Sequence, residues 1–95
     1  MDTIDRLVAM HEKNAAKVQE VKSARKTVVK VFDYIERRPI IDVRKTSTDL
    51  DISFNTASKA INSLIELGIL QQTQDSSRNR CFAYEEYLAI LRKDT

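Results

Sequence analysis

The chain contains one glycine and one proline in 95 residues, and each of them lies where a helical pattern stops. Pro39 follows a helical pattern that ends at Arg37 and Arg38, and the residue before a proline is disfavoured in helical dihedral angles. Gly68 follows a second helical pattern, at the position where a left-handed residue commonly closes a helix. These two breaks predict a mainly helical chain with only short stretches of β-structure between the helices.

The first predicted helix runs from Asp2 to about Lys22. Residues at three- and four-residue spacing, the period of one helical face, form its predicted buried stripe: Ile4, Leu7, Val8, His11, Ala15, Val18 and Val21. Such a thin stripe does not stabilise a helix by itself. We therefore expect this helix to pack against the rest of the chain, a second copy or another domain.

The second predicted helix begins with Ser23 as its N-cap and ends at Arg37 and Arg38. Its predicted buried stripe consists of Val28, Val31, Phe32 and Ile35. The β-branched run at residues 40–43 follows Pro39 and predicts one short strand.

A tight pair of helices follows that strand. Thr46 or Ser47 is expected to cap a short helix through about Leu50, and residues 51–53 form the connection. Ser53 then caps a helix from Phe54 to Leu67. The predicted inner face of this helix consists of Ala57, Ala60, Ile61, Leu64 and Ile65.

Two strands and a last helix complete the pattern. Residues 69–74 and 80–84 read as strands joined by a polar turn at 75–79, which predicts a hairpin. Glu85 and Glu86 then open a final helix. The element order is that of a mainly α winged helix-turn-helix with a small β-hairpin, preceded by a long N-terminal helix. Residues 1–22 would be a linker, docking or dimerisation helix, and residues 23–95 the winged domain.

In a helix-turn-helix, the second helix of the pair enters the DNA major groove. The candidate groove-facing residues are Asn55, Ser58, Lys59 and Asn62, and Arg78 and Arg80 are the candidates for the DNA backbone. Asn pairs with adenine, Ser with several base edges, and Lys with guanine or phosphate. The alternative is that this is an ordinary solvated helix face with surface arginines beside it.

The distribution of charge bears on that choice. The chain has a formal net charge of +2, and residues 22–38 carry six basic and two acidic residues. Residues 39–84, which include the whole helix-turn-helix and the hairpin, carry five of each sign. Phosphate contacts supply most non-specific affinity, so this module is expected to bind DNA weakly as a monomer.

Residues 43–70 resemble the C-terminal winged helix of the Fic (filamentation induced by cAMP) family. The tail at residues 78–91 carries the more specific part of the likeness, Arg-x-Arg-x-Phe-x-Tyr-Glu-x-Tyr-Leu-x-Ile-Leu. Residues 7–12 resemble the segment that links the Fic catalytic domain to this module. The helix-turn-helix alone would fit many bacterial regulators.

The resemblance implies a regulatory domain of a protein adenylyltransferase, which transfers AMP from ATP to hydroxyl side chains. The family's catalytic loop, His-Pro-Phe-x-Asp/Glu-Gly-Asn-Gly-Arg, has no counterpart, since His11 is followed by Glu12 and the only glycine is Gly68. We therefore expect no catalysis by this chain. The expected partners are DNA, the Fic catalytic domain and, through the first helix, a second copy of the chain.

Composition excludes several other classes. One cysteine, Cys81, forms no internal disulfide and predicts a reducing, cytoplasmic setting. One histidine leaves no zinc site, and a single glycine leaves no phosphate-binding loop, so no metal or cofactor is expected. No apolar run is long enough for a membrane span, and residues 1–10 do not resemble a signal peptide.

Overall fold

The computed structural model describes residues 3–73 and 81–93, which fold into a mainly helical domain with a small antiparallel sheet. The elements in these ranges are α1 (Thr3–Gln19), α2 (Arg25–Arg37), β1 (Ile40–Asp42), α3 (Val43–Leu50), α4 (Phe54–Glu66), β2 (Gln71–Gln72), β3 (Cys81–Ala83) and α5 (Glu85–Lys93). This order confirms the predicted fold class. The predicted turn at 75–79 lies outside the described residues.

The sheet has the order β1-β3-β2, with both pairings antiparallel. Ile41 pairs with Phe82, and Gln71 pairs with Ala83, so β3 lies in the centre. Residues 69 and 70 belong to the buried core and precede β2, which is much shorter than the predicted strand at 69–74. The central strand anchors the segment before α3 to the segment after α4, which holds the helix pair on one scaffold.

The core lies between α2, α4 and the sheet. The predicted stripe of α2 is fully buried, and Tyr34 joins it. On α4 the buried residues are Ala57, Ala60, Ile61 and Leu64, while Ile65 is half-buried. Two small residues, Ala57 and Ala60, face the packed side of α4 and let the helices approach closely.

The predicted buried face of α1 is correct only in part, because Val18 is buried as predicted but other members of the stripe are not. Met10, Asn14 and Val18 are its buried residues, whereas Ile4 and Val8 are 68% and 50% exposed. The buried face is therefore centred on Met10 and Asn14 rather than on Ile4 and Val8, which the hydrophobic periodicity selected. The helix packs against α2 and α5.

Asn14 turns inward because its amide finds polar partners in the core. Its Nδ2 donates to the Tyr84 hydroxyl at 2.8 Å and to Oε1 of Glu86 at 3.2 Å. Lys13 also pairs with Glu86. Burial by itself raises the pKa of the Glu86 carboxyl, but the hydrogen bonds from Lys13 and Asn14 outweigh it, so the pKa lies below its usual value. This polar cluster joins α1 to α5.

The caps of α3 differ from the prediction. Asp42, the last residue of β1, caps α3 by accepting a hydrogen bond from the Lys45 amide at 2.6 Å. Thr46 and Ser47, the predicted caps, lie inside the helix, and their hydroxyls donate to the backbone carbonyls of Asp42 and Arg44. Strand and helix therefore follow one another without a loop, which sets the direction of α3 from the sheet.

The predicted Ser23 cap of α2 is also wrong. Ala24 precedes the helix in a left-handed conformation with φ of 57°, and no side chain caps the helix. For a residue with a Cβ this conformation costs roughly 1–2 kcal/mol. The helix follows α1 after residues 20–24, and the chain reverses there without a glycine.

Replacing Ala24 with Gly is expected to stabilise the domain by about 0.5–1 kcal/mol, because glycine adopts a positive φ without the steric cost. Urea unfolding followed by circular dichroism measures the change. Ala16→Gly, at an exposed position inside α1, is the matched control and is expected to destabilise by about 0.5–1 kcal/mol. Equal destabilisation by both changes would contradict the left-handed assignment.

None of the helices in the described part of the chain is long and apolar enough to cross a bilayer.

Candidate nucleic-acid interface

The turn between α3 and α4 is closed by backbone hydrogen bonds. Asp51 adopts a left-handed conformation with φ of 55°. The Ile52 amide donates to the Ser47 carbonyl at 3.0 Å, and the Asp51 amide donates to Thr48 at 3.3 Å. This is the pattern of a Schellman motif, here with aspartate at the left-handed position that usually holds glycine. The motif holds the two helices at a defined angle.

The start of α4 is defined by Ser53, as predicted. The Ser53 Oγ accepts a hydrogen bond from the Thr56 amide at 3.1 Å and donates to the Thr56 hydroxyl at 2.8 Å. The other end of α4 closes at Gly68, with φ of 79°, also as predicted. Both boundaries of the candidate recognition helix therefore follow from local capping chemistry.

The outer face of α4 is polar. At about 100° per residue, Asn55, Lys59 and Asn62 lie within about 60° of one another on the side opposite the buried Ala57 and Leu64. All three are exposed, and Glu66 continues the same face at the C-terminal end. Ser58 is half-buried at the edge of this face, so it is less accessible than the pattern predicted. The structure brings these predicted residues together on one helix.

Phe54, the first residue of α4, is a surface residue that sequence reasoning missed. Its side chain is 56% exposed. Its spacing to Ala57 and Ile61 gives a helical period that would place it inward. It is exposed because it lies at the first turn, beside the α3–α4 connection, where the neighbouring Leu50 and Ile52 are themselves only half-buried.

Two cations lie at the N-terminal end of α3. Arg44 and Lys45 are both exposed there. At the other end of α3, Asp49 accepts a hydrogen bond from the Tyr34 hydroxyl at 2.6 Å. Burial, together with this hydrogen bond, raises the pKa of Tyr34 to about 12, so the phenol remains a donor at neutral pH. The contact joins α3 to α2 and directs part of the acidic charge toward α2.

The α3–α4 surface carries little net charge. Its exposed cations are Arg44, Lys45 and Lys59, and its exposed acidic residues are Asp49, Asp51 and Glu66. Arg78 and Arg80, the predicted backbone contacts, lie outside the described residues. On the helices of the described ranges, further exposed cations lie on α2, at positions 25, 26, 30 and 37.

His11 and Cys81 lie outside α3 and α4. His11 is exposed rather than on the buried stripe; its Nδ1 lies 2.5 Å from a Glu36 oxygen, and its ring stacks on Phe32 at 5.6 Å. Cys81 is half-buried. No group of three or more metal-ligating side chains occurs within residues 3–73 and 81–93.

Comparison of the chain with models of known protein families, with characterised proteins and with solved structures found no significant match. Functional inference therefore depends on the geometry of the α3–α4 surface.

Proposed function

We propose that this chain is a non-catalytic winged-helix domain that binds duplex DNA with α4 in the major groove. The observation that carries the proposal is the exposed polar strip of Asn55, Lys59 and Asn62 on a helix whose opposite face is buried. The major groove admits a single helix and presents hydrogen-bond patterns that differ between base pairs. A capped helix with amide and ammonium groups on its outer face matches that requirement.

Each residue has a chemical role in the proposal. Asn55 and Asn62 present amides that pair with adenine, Lys59 reaches guanine or a phosphate, and Ser58 bonds to a base edge. Arg44 and Lys45 at the start of α3 contact phosphates, which positions the domain without reading sequence. Arg78 and Arg80 are assigned to the DNA backbone from the sequence alone.

The low charge of the surface implies weak binding by one copy. Tethering to a second DNA-binding unit or to a neighbouring domain raises the effective concentration and compensates for weak affinity. We propose that the neighbour is a Fic catalytic domain in a cytoplasmic protein, and that this chain regulates it or directs it to DNA. The support for this step is the tail motif and the long helix that precedes the winged domain.

The salt dependence of binding tests the proposal. We expect fluorescence polarisation with a labelled random-sequence duplex to give an association constant that depends on salt. The logarithm of this constant should fall linearly with the logarithm of the salt concentration. Three contacting cations, Arg44, Lys45 and Lys59, predict a slope of about −3, steeper if the two hairpin arginines also contact phosphate. Absence of salt-sensitive binding up to about 100 μM protein, the weak end of non-specific DNA binding, would exclude the DNA function.

A second candidate function is protein interaction through α1. Ile4 and Val8 lie one turn apart and are both exposed. Beside them is a cavity of about 270 Å³ lined mainly by apolar groups, among them Leu7, Met10 and Tyr87. An exposed apolar face of this kind favours contact with another protein surface, either a second copy of the chain or the Fic domain that precedes it in the proposal.

If this face forms a homodimer, Val8→Asp is expected to convert the dimer to a monomer in analytical ultracentrifugation, because it places a charge in the apolar contact. Ala9→Asp is the matched control: it adds the same charge at the next, exposed position and should leave the dimer intact. Val18 is unsuitable for this test because it is buried. A wild-type chain that is monomeric at all concentrations would exclude the homodimer.

A further inference from the structure

An aromatic ring stands at the N-terminal end of the proposed recognition helix with more than half of its surface in contact with solvent. Phe54 is 56% exposed, which corresponds to about 100 Å² of apolar ring surface. Exposed apolar surface disfavours the folded state relative to burial. Leu50 and Ile52, at the adjoining α3–α4 connection, are themselves only half-buried and leave the ring exposed.

The position of this ring is set by the first turn of α4. The Ser53 cap and the Thr56 amide fix the backbone around Phe54. Residues one turn apart on a helix are neighbours, so the ring lies beside Ser58. Asn55 follows it directly and belongs to the polar strip. The apolar ring therefore lies at the edge of the polar face of α4, next to Ser58.

A protein partner does not explain this arrangement well. One ring offers about 100 Å², far below the roughly 800 Å² that each partner contributes to a standard protein interface. On the surface of α4 the side chain beside the ring is that of Ser58, which does not extend an apolar patch. A partner that presents a small apolar group next to hydrogen-bonding base edges matches the exposed ring better. In the major groove that group is the C5-methyl of thymine, which phenylalanine contacts.

We infer that Phe54 is a specificity-determining residue that contacts a thymine methyl group, next to the base edge that Ser58 contacts in the proposal. The inference rests on the proposed DNA function and adds a base preference to it. Burying one methyl group against the ring changes the dissociation constant about three- to four-fold.

The test removes the methyl group alone. A random duplex pool is enriched for binding to the wild-type chain and is then amplified with either thymidine or deoxyuridine triphosphate. These two pools have the same base sequences and differ at the C5-methyl. The wild type is expected to bind the uracil pool about three- to four-fold more weakly for each contacted thymine.

Variants assign the effect to the ring. Phe54→Ala is expected to bind both pools equally and to keep the salt slope of the wild type, because no charge is lost. Asn62→Ala is the matched control on the same helix; it should bind more weakly but still distinguish the pools. Circular dichroism checks folding, which an exposed Phe54 should not affect.

The outcomes separate the two proposals. Equal binding of both pools by the wild type would overturn the role of Phe54 while leaving the DNA function in place. A Phe54→Ala variant that still distinguishes the pools would also overturn it. Failure of the wild type to enrich or bind any duplex would exclude the DNA function, and the role of Phe54 with it.

Discussion

Lys59→Glu is expected to weaken binding to duplex DNA by about 10- to 100-fold at physiological salt. Lys59 is the cation in the middle of the polar outer face of α4, and it is exposed. If α4 enters the groove as proposed, reversal removes one contact to phosphate or guanine and places a carboxylate against the polyanion. Because the α3–α4 surface has no net excess of positive charge, one reversal makes the whole surface acidic. The loss should be similar across sequences if Lys59 contacts phosphate, and confined to particular sequences if it reads guanine.

The measurement is a polarisation titration repeated at several salt concentrations. Lys59→Ala should reduce the steepness of the salt dependence by about one unit if the contact is a phosphate. Arg6→Glu is the matched control, since it makes the same charge change on α1, which packs against α2 and α5. Equal weakening by Arg6→Glu and Lys59→Glu would show that net charge alone governs binding, and would contradict groove entry by α4.

Tyr84→Ala is expected to lower the free energy of unfolding by about 3–5 kcal/mol, the range for removing a large buried aromatic side chain. Tyr84 is completely buried. Its ring centroid lies 6.4 Å from that of Phe32 on α2 and 5.8 Å from that of Tyr87 on α5. Its hydroxyl accepts the hydrogen bond from Asn14 on α1. Truncation therefore leaves a cavity where three helices meet and removes a partner of a buried amide.

Urea unfolding of the two variants Tyr84→Ala and Tyr84→Phe separates packing from hydrogen bonding. Tyr84→Phe keeps the ring and is expected to cost about 1 kcal/mol, because the Asn14 amide retains its bond to Glu86. Burial raises the pKa of the Tyr84 phenol to about 12, so the wild type has the neutral hydroxyl throughout the working pH range. A cost below about 1 kcal/mol for Tyr84→Ala would contradict its central position.

The helix-turn-helix could be predicted from the sequence because its signals are local. Ser53 and Gly68 mark the ends of α4 through capping chemistry that involves only neighbouring residues. The buried stripe of α2 follows the helical period, and its apolar residues leave no second face to choose. The same periodicity places Asn55 and Lys59 on the outer face of α4. Whether that face binds DNA stays a prediction for the binding experiments.

Local signals did not predict the residues that begin α2 and α3. Thr46 and Ser47 were the predicted caps after β1, but Asp42 at the end of β1 caps α3 instead, and its carboxylate accepts a hydrogen bond from the Lys45 amide. Ala24 adopts a left-handed conformation that its residue type does not favour. Packing of α1 and α2 on either side sets this conformation against the local preference.

The sequence by itself determined the element order, the ends of α4 and the polar strip on its surface, because capping and periodicity act over a few residues. Only the tertiary structure decided which face of α1 is buried and that Phe54 is exposed. Asn14 turns inward because Tyr84 and Glu86, some seventy residues away, accept hydrogen bonds from its Nδ2. Phe54 remains in solvent because the buried face of α4 begins only at Ala57, three residues further along the helix. Both outcomes depend on contacts between distant segments, which local pattern does not encode.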